Sequence, residues 1–166
     1  MPTRHATLHS FVLAISLLIL SVFSPLQAAA DGETILTVNS PAEEPLTFSL
    51  EALDELKQIV ISTTNEFVTG ETKFSGPLAR DLIENVGGDP SSTIVLTAIN
   101  DYQISVPASD FFSYDVVLAT RMNGSLLSRR DKGPIWLMYP ISDHTELQDS
   151  TVNSKLIWQL VKMEVN

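Results

Sequence analysis

From residue 93 onward the chain is cut by turn residues into short apolar, β-branched runs: TIVLTAI (93–99), YQISV (102–106), DVVLATRM (115–122), IWLMY (135–139) and IWQLVKMEV (157–165). Runs this short predict strands rather than helices, and each strand has to bury a face by pairing with the others. Asn123-Gly124 marks a tight turn after the third run. Upstream, ETILTVNS (33–40) and QIVIST (58–63) read as two further strands. Between them Ser49 is placed to cap a short helix, with Glu51 in its first turn and Leu50, Leu53 and Leu56 on one side. A second helix is expected where Ser75 and Pro77 precede Leu78, Leu82, Ile83 and Val86, with Gly87-Gly88 as its stop. ASDFF (108–112) has room for one helical turn. The pattern predicts an α+β fold, mostly antiparallel β with two short helices.

The first thirty residues follow a different rule. Arg4, His5 and His9 precede the uncharged stretch FVLAISLLILSVF (11–23), and Ala28-Ala29-Ala30 supplies small residues for cleavage. The apolar stretch is shorter than the roughly 18–20 residues of a spanning helix. Residues 1–30 are therefore expected to be a signal peptide and 31–166 a single domain, exported to a periplasm or, alternatively, secreted, with no membrane insertion after cleavage. The chain has no cysteine. An exported domain of this composition depends on its core without disulfides, and it offers no thiolate as nucleophile or metal ligand.

Twenty Asp+Glu against ten Lys+Arg give a formal net charge of −10, which repels nucleic acid. Against that background SRRDKGP (128–134) gathers Arg129, Arg130 and Lys132 in one turn, with Arg121 on the far side of Asn123-Gly124. Such a group either holds an anion, which the arginine fork contacts in bidentate fashion, or is a solvated loop paired with Asp131, Asp101 or Asp110. Asn100-Asp101-Tyr102 either lines a cleft or makes an ordinary turn. His144, within DHTELQD (143–149), stands among carboxylates as a weak candidate for a divalent metal or as an exposed loop residue. Trp136, Tyr139 and Trp158 lie in apolar runs and are expected in the core. No phosphate loop, His-Glu-x-x-His or Gly-x-Ser-x-Gly motif is present.

FSGPLARDLIENVGG (74–88), AINDYQISVP (98–107), VVLATRMNGSLLSRRDKGPIWLMYP (116–140) and KLIWQLVKMEV (155–165) together resemble the molybdopterin-binding domain of sulfite oxidase-type oxidoreductases. The similarity is greater to short exported proteins made of that domain alone, and it spans about residues 33–165. It implies a molybdopterin cofactor, with Asn100, Asp101 and Tyr102 on one wall of a cleft and Arg129, Arg130 and Lys132 on the other. Catalytic relatives bind molybdenum through a cysteine in the stretch that is here STTNEFVTGETKF (62–74), which has none. The resemblance thus implies a binding module for a small anionic ligand, or for a periplasmic or membrane protein partner, without sulfite oxidase chemistry. An oxidoreductase that holds its cofactor without a cysteine ligand is the alternative.

Overall fold

A computed structural model describes residues 32–166. The expected signal peptide and its cleavage point lie outside the described residues. The elements run β1 (Leu36–Asn39), β2 (Leu46–Phe48), α1 (Leu50–Glu55), β3 (Gln58–Thr63), β4 (Thr72–Pro77), α2 (Ala79–Asn85), β5 (Thr93–Ala98) and β6 (Gln103–Pro107). They continue with α3 (Ala108–Ser113), β7 (Val117–Ala119), β8 (Arg121–Met122), β9 (Ser125–Leu126), β10 (Trp136–Met138), α4 (Ser150–Asn153) and β11 (Leu160–Val165). Two 3-10 turns, Ile141–Asp143 and Thr145–Leu147, join β10 to α4.

Three sheets form: β2-β1-β11-β5-β6, β3-β4-β8-β9, and the pair β10-β7. Every ladder is antiparallel except β1 with β11. The apolar runs place one face of each strand inward, and Trp136, Tyr139, Phe74, Phe111, Leu36, Leu82 and Ile83 are fully buried between the layers. Phe74 meets Trp136 edge-on, centroids 5.4 Å apart, and the Trp136 indole N–H donates to the Leu156 carbonyl at 3.0 Å. That bond satisfies the one polar atom such a ring carries into a core.

Ser49 caps α1 by accepting from the Ala52 N–H at 3.2 Å. The second expected helix begins later than the pattern suggests. Ser75, Gly76 and Pro77 belong to β4, and α2 starts at Ala79 behind Leu78, which provides no side-chain cap. The reason is tertiary: Gly76 packs so closely on the neighbouring chain that an added Cβ would stand 1.9 Å from the Leu118 carbonyl oxygen, and the Ser75 carbonyl accepts from Thr120 N–H at 3.0 Å. Central-strand hydrogen bonding overrides the local Ser-x-Pro signal. ASDFF becomes α3; β2, β4, β9 and α4 lie outside the expected elements, and the helices number four rather than two among the described residues.

Two expected strands are broken. The 115–122 run splits at Thr120, and the chain then reverses through Asn123 (φ 51°) and Gly124 (φ 81°) into the β8-β9 hairpin. The 157–165 run is interrupted by Gln159, which adopts φ 52°, before β11 begins. Trp158 is left outside the core, 39% exposed, and bridges only to Trp136.

Candidate functional site

Gln159 organises the region where the sequence motifs meet. Its N–H donates to the Lys132 carbonyl at 3.0 Å, its carbonyl accepts from Ile99 N–H at 2.9 Å, and its Nε2 donates to the Arg129 carbonyl at 2.8 Å. The turn after β5 and the cationic turn are thus fixed to each other through one left-handed residue. Asp101 is also left-handed (φ 64°), and the Asn100 Oδ1 accepts from the Tyr102 N–H at 3.3 Å, so the Asn-Asp-Tyr turn is held by its own side chain.

That turn separates two clefts. The first, about 430 Å³, is lined by Asn100 and Tyr102, with Phe67, Trp158, Glu66 and Asn153 around them. Phe67 stands edge-on to Trp158, centroids 5.1 Å apart. Asn153, the last residue of α4, also lines it, and its Oδ1, itself buried, has no hydrogen-bond partner among the described residues. The α4 side of this cleft is tied to the core by Lys155, whose Nζ donates to Asp110 Oδ2 at 2.6 Å, beside the Tyr139 hydroxyl donating to the same oxygen at 3.0 Å. Burial, followed by the Asp110 charge, pushes the Tyr139 hydroxyl pKa far up, so it stays protonated as a donor. The second cleft, about 480 Å³, contains Asp101 and Arg129 with Glu33, Lys162 and a floor of sheet residues such as Thr37 and Thr97.

The six residues singled out from the sequence therefore do not form one pocket. Asn100 and Tyr102 line the first cleft and Asp101 the second. Lys132 places its ammonium 5.2 Å from the ring centroids of both Trp136 and Trp158, and 3.9 Å from Asp131. Arg129 lines the second cleft and pairs with Glu33 at 2.8 Å, whereas Arg130 is exposed and makes no ion pair among the described residues. Arg121 leaves the group entirely: its two terminal nitrogens donate to the two oxygens of Asp54 at 2.6 and 2.8 Å, joining the β8-β9 hairpin to α1. That fork holds the Asp54 carboxyl below its ordinary range. Asp110, one of the acids expected to neutralise the cationic turn, pairs with Lys155 instead.

The stretch without cysteine is closed by hydroxyls. Thr63, fully buried, accepts from the Ser142 N–H at 3.1 Å, and the Thr64 N–H donates to the Ser142 hydroxyl at 3.0 Å. Asn65 approaches Met138 Sδ at 3.4 Å, and the chain then turns Phe67 into the first cleft. His144 lies 3.7 Å from Glu146 and against the Tyr114 ring, and among the described residues no group of three His, Cys, Asp or Glu is placed to hold a metal ion. The donor set does not fit molybdenum, because thiolate sulfur is absent and the hydroxyls that replace it are neutral and already hydrogen-bonded. An organic ring is a different matter, since the aromatic cleft has the volume usual for small-molecule sites. Phe67, Asn153 and Gln159 went unrecognised in the sequence, and Trp158 was expected in the core; a Trp-Gln pair interrupting an otherwise regular strand run was the available signal.

No curated protein matches the chain. Among solved structures, the sulfane dehydrogenase SoxCD from Paracoccus pantotrophus superposes with a TM-score of 0.58 at 16% identity, over 78% of this chain. The chain spans 37% of that chain's length, so the likeness concerns the fold. The family model described as oxidoreductase molybdopterin binding domain matches residues 25–142. With most of its length under that match and its sheets arranged as in a sulfite oxidase-like fold, the chain belongs to the oxidoreductase molybdopterin-binding domain family.

Proposed function

We propose that the chain is an exported ligand-binding domain that uses the molybdopterin-binding fold without sulfite oxidase-type oxygen-atom transfer. The observation that carries this reading is the Trp158 cleft: an aromatic pocket of about 430 Å³ in a chain with no cysteine to bring sulfur to a metal. Phe67, Tyr102 and Trp158 provide surfaces for a planar ring, and Asn153 stands beside them with a buried Oδ1 that has no hydrogen-bond partner among the described residues. Of the three cations of the turn, Lys132 is the one positioned to attract a ligand's anionic group towards Trp158. Arg129 and Arg130 do not share in that role. Molybdopterin without a protein–metal bond is one such ligand, and family membership favours it as the second reading, an oxidoreductase that grips its cofactor by the organic part alone.

One measurement separates the two. Protein exported from a cofactor-producing bacterium is purified, denatured, and its supernatant assayed for molybdenum and for released small molecules by mass spectrometry. An organic ligand at near-stoichiometric amount without molybdenum supports the binding module. Molybdenum at near-stoichiometric amount overturns it in favour of the second reading. Trp158→Ala is expected to lower retained ligand roughly tenfold, the loss of one aromatic contact surface of about 1.4 kcal/mol.

A further inference from the structure

β3 is the outer strand of the β3-β4-β8-β9 sheet. All six of its residues are in register with β4, and none of residues 58–63 makes a backbone–backbone hydrogen bond outside that ladder. The outward-facing N–H and C=O groups of alternate residues are therefore without main-chain partners among the described residues. This is the condition in which an edge accepts another strand.

A groove of about 270 Å³ runs beside this edge and is lined by Ile59, Val60, Ile61 and Ser62 in succession. Successive side chains of a strand point to opposite faces, so a groove touching four in a row lies along the edge rather than on either face. Val60 is 62% exposed, an apolar side chain with nothing yet packed on it. The far wall is the turn from Pro140 to His144, fastened to the end of β3 by the Ser142 bonds to Thr63 and Thr64. Glu71, Asp115 and Asp143 complete the lining. Near them, Arg80 stands 3.6 Å from Asp115, Lys73 is the register partner of Ser62 on β4, and His144 leans towards Glu146. Carboxylates outnumber cations there.

We infer that this groove receives an extended, basic segment of a partner polypeptide, added as a strand to β3 with Lys or Arg side chains against Glu71, Asp115 and Asp143. Charge selects this occupant over a second copy of the chain, because pairing two copies through β3 brings the same three carboxylates face to face. The groove shares no lining residue with the Trp158 cleft, so the inference stands whatever that cleft binds.

Fluorescence anisotropy with the whole chain and a labelled peptide of alternating Lys and Val tests it. Saturable binding is expected, weakened about tenfold or more by combining Glu71→Lys with Asp143→Lys, both exposed positions where the fold tolerates the change. The same peptide N-methylated at alternate residues keeps its charge but cannot form a ladder, and is expected not to bind. No binding of the unmethylated peptide, equal binding of the methylated one, or undiminished binding to the charge-reversed variant each overturns the inference. A concentration-dependent dimer in sedimentation that Val60→Lys dissolves also overturns it, by assigning the edge to a second copy.

Discussion

The two clefts on either side of the Asn100-Asp101-Tyr102 turn differ little in size, about 430 against 480 Å³, and greatly in what lines them. In the second cleft Arg129 has Glu33, and Gln103 Nε2 donates to the Thr97 hydroxyl at 3.1 Å. Arg129 with Glu33 and Gln103 with Thr97 thus answer one another, and Lys162 pairs with Glu164 at 3.0 Å. The first cleft contains aromatic rings, a lone carboxylate on Glu66 and the unanswered Oδ1 of Asn153. The contrast teaches that a cluster of cations in the sequence does not by itself mark an open cationic pocket, because surface cations find local acids at little cost.

Substitutions can break or sharpen that contrast. The largest effect is expected from Trp136→Ala, which removes the buried ring beneath the first cleft and leaves Phe67, Phe74 and Lys132 without their common support. Chemical denaturation should show a loss of about 3–5 kcal/mol. If stability is unchanged, the first cleft is not built on the core as described.

Arg121→Ala is next, at roughly 1 kcal/mol, since it breaks a partly buried bidentate pair. This effect depends on pH. Because Asp54 has a lowered folded-state pKa, the pair's contribution is present above the ordinary carboxylate pKa and disappears as pH falls through the depressed folded value. Denaturation midpoints of variant and parent should therefore differ at neutral pH and converge in acid. A gap that stays constant to low pH would show that Asp54 is not the partner that matters.

The smallest effect belongs to Arg129→Ala. Half of this side chain is exposed, and so is most of Glu33. Thermal unfolding should move by less than about 0.5 kcal/mol equivalent, with ligand retention in the first cleft unaltered. A large loss of ligand would join the two clefts into one site and restore the anion pocket expected from SRRDKGP.

How far the sequence could be read follows from the range of the interactions involved. The strands were legible because burial of alternate residues is a local pattern: QIVIST became β3 without a residue's shift, and the Ser49 cap and Gly87 stop were found where their side chains and backbone freedom required. What misled was proximity along the chain. Arg121 and Arg129 are close in sequence, yet they lie on either side of the Asn123-Gly124 reversal, and one pairs with Asp54 of α1 while the other pairs with Glu33 ahead of β1. Ser75 and Pro77 look like a helix start until Leu118 closes over Gly76. The candidate site suffered most, since Phe67 and Tyr102 come from segments far from Asn153 and Trp158, and Gln159 beside Trp158 takes a left-handed turn that no propensity favours.

The order of strands β2-β1-β11-β5-β6 has a consequence for how such a chain is made. β11 is the central strand, flanked by β1 from the other end of the domain, and Asn166 still exchanges main-chain bonds with Thr93 at 2.9 and 2.8 Å. Until the ribosome has delivered β11, the strands on either side have nothing to join them. A growing polypeptide of this design cannot complete its largest sheet before β11 is made, so that sheet closes late in the making of the domain rather than strand by strand from β1 onward. Termination between residues 107 and 160 would leave two half-sheets with unpaired inner edges, ready material for proteases.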